Sequence, residues 1–174
     1  MKKVIFALSA LAVVSTSAFA AESGDGTVKF IGEIVDAPCV ISLDTQSQEV
    51  KLGQVKKSVF KAVGDKSVST PFQIKLEECD ITSKTKVNVS FAGVADADDA
   101  KLVSVSTEAG AATGVGIGIY DNANKLVDMN TGKSTTTLAA GQTVLYYTAN
   151  YVATKAAVTT GYGNAEVDFN LSYE

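Results

Sequence analysis

The sequence contains no histidine, no tryptophan and no arginine, and only two prolines, two cysteines and two methionines in 174 residues. Without histidine, Ser–His and Cys–His nucleophile pairs are excluded, and so are His-containing metal sites. Without tryptophan, the ring best suited to sugar stacking is missing. Two of the 15 lysines, Lys2 and Lys3, fall in the leader described next, which leaves 13 against 19 acidic residues, a net charge of −6. With no arginine beside them, such scattered lysines cannot neutralise a phosphate backbone, so a nucleic-acid partner is excluded and Lys56-Lys57 is read as solvated surface. Long hydrophobic runs are scarce as well. The one present, Val4 to Val14 broken by Ser9, follows the basic Met1-Lys2-Lys3 and precedes the small-x-small site Ala18-Phe19-Ala20. Ser15, Thr16 and Ser17 end it short of the roughly 18 apolar residues that span a bilayer. Residues 1–20 therefore read as a secretory signal peptide, and the 154 residues from Ala21 as one domain's length of chain.

What the chain does have is alternation. Phe72, Ile74 and Leu76, then Val87, Val89 and Phe91, then Val115, Ile117 and Ile119 each place apolar residues on one face of a strand. Val50–Leu52, Leu102–Val105, Val144–Val152 and Ala165–Tyr173 are further strand candidates, separated by turn-rich stretches such as Asp121–Asn124 and Asn130–Gly132. Helical period is weak everywhere, with at most a turn or two between Val55 and Val63. Pro38 and Pro71 fit strand edges or entries. The spacing predicts an all-β sandwich.

The even pair Cys39 and Cys79 in an exported chain predicts one disulfide, worth roughly 4 kcal/mol for a 40-residue separation. Other chemistry is poorly supplied. Asp96, Asp98 and Asp99 lack the spacing of a calcium loop and read as an exposed turn. Glu77-Glu78, adjacent on a strand, should point to opposite faces. Gly114-Val-Gly-Ile-Gly118 evokes a phosphate loop, but its apolar residues alternate through the glycines, so it reads as a strand with one bare face against which another layer comes close. No cofactor, metal or catalytic residue is expected.

The stretch Gly26-Thr-Val-Lys-Phe-Ile-Gly-Glu-Ile-Val-Asp-Ala-Pro-Cys39 resembles the amino-terminal segment of major pilins of the chaperone–usher pathway, the type 1 fimbrial family. The likeness continues through Val50-Lys-Leu-Gly-Gln54, Pro71-Phe-Gln-Ile-Lys-Leu-Glu-Glu-Cys79, Gly161 fourteenth from the end and Tyr173 next to last. It implies an incomplete immunoglobulin-like sandwich lacking its seventh strand, with residues 21–36 as a donor-strand extension and 37–174 as the pilin domain. It implies as partners a periplasmic pilus chaperone, an outer-membrane usher and other copies of the chain, and a final location in a fimbrium on the bacterial surface. It further implies that the carboxylate of Glu174, with Gly161 and Tyr173, is what the chaperone recognises.

The residues themselves fit that scheme. Period two places Gly24, Gly26, Val28, Phe30 and Gly32 on one face of the leading segment, opposite Asp25, Thr27, Lys29 and Ile31. By the resemblance Val28 and Phe30 are the bulky anchors, and Gly26 sits where incoming and outgoing strands exchange. In the final strand the inward set is Ala165, Val167, Phe169, Leu171 and Tyr173, the wall of the groove that such a donor would enter. On pattern alone the leading segment could equally be a frayed tail and the last strand part of a complete sandwich. Competing functions are a minor or adaptor pilin, a carbohydrate-binding adhesin domain and a periplasmic enzyme or carrier. The adhesin lacks room for a separate binding domain, and the enzyme lacks histidine and any convergent polar cluster.

Overall fold

The computed structural model describes residues 26–174, so the leader and Gly24 lie outside the described residues. Eight strands and one helical turn follow in order: β1 (Val40–Ile41), α1 (Leu43–Gln46), β2 (Thr70–Cys79), β3 (Lys86–Gly93), β4 (Val103–Ser104), β5 (Val115–Tyr120), β6 (Ser134–Thr137), β7 (Gly141–Ala153) and β8 (Val167–Tyr173). They form a five-stranded sheet in the order β1-β2-β7-β5-β4 and a three-stranded sheet in the order β6-β3-β8. All pairings between these strands are antiparallel. The compact unit runs over Val35–Glu174.

The alternating residues meet between the sheets. Ile74 and Leu76 of β2 and Val87 and Val89 of β3 are fully buried. Phe72, Phe91 and Tyr147 pack around one another with ring centroids 5.3 to 6.3 Å apart. β5 is covered on both sides. A Cβ on Gly116 would stand 2.9 Å from the Leu102 Cβ, and one on Gly118 would stand 2.8 Å from the Tyr120 ring, so the bare face is bare because other groups lie on it.

Several elements depart from the sequence reading, each for a local reason. Leu76 and Cys79 are three residues apart and would face opposite sides of a regular strand, yet both are buried. A bulge between them, with Glu78 at φ 53°, restores the phase, and it leaves Glu77 and Glu78 both exposed instead of on opposite faces. Val50–Leu52 is not a strand, and the segment Val55–Val63 holds only a 3-10 turn, Lys57–Val59. Leu102–Val105 shortens to two paired residues, and β7 runs longer at both ends than Val144–Val152. The last strand opens at Val167, leaving Ala165 exposed and outside it. Residues 26–32 carry no strand assignment, and in the leading unit Val28, Phe30, Ile31 and Ile34 are exposed.

The expected turns are present. Asp121 Oδ1 accepts the N–H groups of Ala123 and Lys125, and Asn124 takes φ 57°. Asp96 Oδ1 likewise accepts from Asp98 and Asp99, which closes the acidic stretch on itself as an exposed turn. Among the described residues no three potential ligands converge on a metal position.

Candidate functional site: an open trough beside the last strand

Cys39 and Cys79 are buried and bonded to each other, joining the entry of β1 to the end of β2. From there the chain is sewn along the free edge of β2, largely by side chains. Ser42 donates its N–H to the Lys75 carbonyl at 2.9 Å, Thr45 Oγ1 accepts the Lys75 N–H at 3.1 Å, and Gln48 Nε2 donates to the Gln73 carbonyl at 3.0 Å. Lys75 Nζ lies 2.5 Å from Asp44, whose carboxyl is held below the usual range by that bond and the one from Ser42. Beyond Gln48 this stitching stops. Among the described residues, the backbone of residues 49–55 makes no hydrogen bond to other backbone.

Facing that stretch is β8. It is an edge strand paired only with β3, in the register Val87↔Tyr173, Val89↔Leu171, Phe91↔Phe169 and Gly93↔Val167. The β3 residues of these pairs up to Phe91 are buried, whereas Val167, Phe169, Leu171 and Tyr173 are only half-buried although they pack against the main core. A three-stranded sheet opposite a five-stranded one leaves this side of the sandwich short of cover.

The shortfall is a trough in two consecutive parts. A cavity of about 210 Å³ is lined by Val50, Leu52, Phe72, Phe91, Val167 and Phe169, with Ala165 and Glu166 at its rim. A wider one of about 760 Å³ is lined by the next residues of the same two walls, among them Gln54, Lys56, Phe60, Val158 and Tyr162. In its smaller part the trough has an apolar floor between the unpaired backbone of residues 49–55 and the free edge of β8, the arrangement an extended segment can enter by hydrogen bonding along its length; in the wider part the wall before β8 is already bonded to residues 106–113.

Three expected site residues receive a local explanation. Gly161 lines the wider cavity, and a Cβ there would stand 2.4 Å from the backbone of Ala111 and Ala112, so its backbone packing by itself requires glycine. Burial raises the Tyr173 hydroxyl above its ordinary value. Glu174 is exposed. Its main-chain oxygen accepts the N–H groups of Thr85 and Lys86 at 2.8 and 3.0 Å, and its side chain accepts a bond from Asn88 Nδ2. Val50 and Leu52, read from sequence as strand, prove to be wall; their alternation was the signal for it.

The chain matches the family of fimbrial proteins over residues 28–174. It is 87% identical to Long polar fimbria protein A of Salmonella typhimurium over 174 residues, covering all of this chain and 98% of that one. The chain belongs to the fimbrial protein family. It is also 72% identical over 174 residues to a probable major fimbrial subunit, LpfA, of Escherichia coli O157:H7, again over all of this chain and 98% of that one. Among solved structures it is similar to a subunit of a chaperone-usher pilus studied for rod uncoiling, with a TM-score of 0.74 and 33% identity over 87% of this chain and 97% of that one. The P pilus rod subunit PapA aligns with a TM-score of 0.67 and 31% identity over 79% of this chain and all of PapA. The fold is accordingly immunoglobulin-like, and the chain is a structural subunit of chaperone-usher fimbriae, which self-associate into surface fibres, and not an enzyme.

Proposed function

We propose that this fimbrial subunit is the major shaft subunit and that it polymerises by donor-strand exchange, residues 24–32 of one copy filling the trough beside β8 of the next. The observation that carries the reading is the half-buried inward face of β8, an edge strand whose apolar residues look into a cavity whose other wall has unpaired backbone. The leading segment supplies a matching donor. Val28 and Phe30 share a face with Gly26 and Gly32, and both are exposed, at 75% and 91%. Burying them in the trough should contribute roughly 1.5–3 kcal/mol each, and the new ladder satisfies two sheet edges at once. Because each copy gives at one end and receives at the other, the contact is head-to-tail and open, which generates filaments.

Before assembly a periplasmic chaperone occupies the trough, and an outer-membrane usher supports the exchange. The Glu174 carboxylate and Tyr173 at the end of β8 are the points such a chaperone would hold; for Gly161 internal packing already accounts for the residue. The name of the Escherichia coli relative favours the major role over an adaptor, as do the 14 glycines and many small residues of a heavily produced shaft component.

The test is to add a peptide of residues 21–36 to the chaperone-bound subunit. A peptide–subunit complex that survives denaturant is expected, with loss of the complex when Val28 and Phe30 of the peptide are replaced by Asp. A peptide that never displaces the chaperone, together with normal filaments from a chain lacking residues 21–32, would overturn the proposal.

A further inference from the structure

We infer that Lys56 and Lys57 are an ion-pairing site for the acidic residues that flank a neighbour's donor segment, and that this pairing sets how fast the segment is captured. The inference rests on reading residues 24–32 as the donor. It gives a role to the wider part of the trough, which hydrogen bonding along the donor does not use.

The wider part offers an incoming chain little else. Its wall before β8 is already bonded: the Asn164 and Tyr162 carbonyls accept the N–H groups of Ser106 and Ala112 at 2.8 Å, and the Tyr162 N–H donates to the Gly110 carbonyl at 2.9 Å. A segment passing there finds no ladder to join on that side, so side chains must meet it. Lys56 and Lys57 are the only charged residues that line this part. Both are exposed, and among the described residues neither lies within ion-pair distance of a carboxylate. Their backbone is nonetheless fixed. Lys56 caps the 3-10 turn Lys57–Val59, the N–H groups of Val59 and Phe60 donate to the Lys56 and Lys57 carbonyls at 3.0 and 3.1 Å, and Phe60 packs onto the small core of Val105, Val115, Ala153 and Val158.

The leading segment carries the opposite sign at both ends. Glu22 and Asp25 stand at one end and Glu33 and Asp36 at the other, with Lys29 alone between them. The wider part begins where the smaller one stops, at Gly53 on one wall and Asn164 on the other. An extended chain advances about 3.3 Å per residue, so whichever way the donor runs along β8, the end that leaves the smaller part brings two carboxylates to the lysines. The smaller part has a single charged lining residue, Glu166 at its rim, which matches in sign the single lysine at the segment's middle.

Such a site acts on encounter more than on the finished joint. Without the leader each copy has a net charge of −6, so two copies repel one another. A basic patch beside the trough offsets that repulsion for the one segment that has to enter. Exposed ion pairs add little to the strength of a completed contact, which Val28 and Phe30 supply. Their effect is on the rate of association, and it weakens as salt is added.

The test is the rate at which a peptide of residues 21–36, amidated at its carboxyl end, forms a complex with the chaperone-bound subunit at low and at high ionic strength. Lys56→Glu with Lys57→Glu is expected to slow capture about tenfold at low salt, and the difference should vanish at high salt. Lys125→Glu with Lys133→Glu, the same change of net charge on exposed residues away from the trough, should leave the rate unchanged. Against the doubly reversed trough, either a peptide with Glu22→Lys and Asp25→Lys or one with Glu33→Lys and Asp36→Lys should restore the rate, and the one that does identifies the end seated in the wider part. If the doubly reversed subunit does not accumulate, Lys56→Gln with Lys57→Gln carries the comparison as a reduced dependence on salt. A rate indifferent to the lysines, or a loss that neither reversed peptide restores, overturns the inference. Failure of the donor reading is separate, since the unsubstituted subunit would then capture no peptide at any salt concentration.

Discussion

The trough depends on a few side chains whose surroundings make their substitutions predictable. Phe169 looks into the smaller cavity from a half-buried position, and Phe169→Asp would place a carboxylate against Phe91 and Val50 with no partner; the expected cost is about 3 kcal/mol. Steady-state periplasmic amounts of the variant, compared with Asp168→Asn on the outer face, check this. Gly161→Val is expected to cost about 2 kcal/mol by forcing the backbone of Ala111 and Ala112 away and breaking the bond from Tyr162 N–H to the Gly110 carbonyl. Hydrogen exchange at Tyr162 in the chaperone-free, peptide-completed subunit reads that loss without involving the chaperone. Much of this scale was legible: the inward faces of β2, β3 and β8 follow from alternation. The bond from Asn88 to Glu174 was not, because these are ordinary polar residues whose meeting depends on a register that sequence cannot supply.

At the scale of elements, strands with clean alternation were readable, the edge strand β8 among them, and a stretch with nothing to pair with was not. Val50–Leu52 has the alternation of a strand but nothing to pair with, so it stays irregular. β6 was missed because Ser134-Thr-Thr-Thr137 has strand propensity without any apolar face. The bulge at Glu78 was hidden because a shift of phase is invisible until both Leu76 and Cys79 are known to be buried. The disulfide acts at this scale, tying β1, which has only two paired residues, to β2. Cys39→Ser should therefore lower the stability of the completed subunit by up to roughly 4 kcal/mol, read as a shift in denaturation midpoint under oxidising conditions. An unchanged midpoint would mean that the pairing of β1 with β2 and the side-chain stitching from Ser42 to Gln48 suffice alone.

For the molecule as a whole, the absence of histidine removes any switch between pH 5 and 8 of the ordinary imidazole kind, and the shifts caused by burial are alkaline. Burial raises the hydroxyls of Tyr147, Tyr151 and Tyr173 above the ordinary value of 10.0, Tyr147 despite its bond to Ser134 and with the nearby Asp121 adding to the rise. The folded state thus holds these protons more tightly than the unfolded chain. Their contribution is fully present below pH 10 and is lost as pH rises through the raised values. Alkaline titration should show the part of the tyrosinate absorbance that these three residues contribute appearing late and together with unfolding, and Tyr147→Phe should move that transition to higher pH.

The bridge between Cys39 and Cys79 has a mechanical side. If copies join as proposed, load in a fibre pulled end to end enters each domain through the leading segment and reaches Cys39 before it reaches β1. The sulfur–sulfur bond passes it directly to the end of β2, inside the larger sheet, and the intervening chain, which includes the thinly anchored wall of the trough, is left slack. On that reading, load arriving from the leading segment does not run along the chain between the two cysteines, and the wall of the trough feels only the pull of the neighbour's segment seated in it.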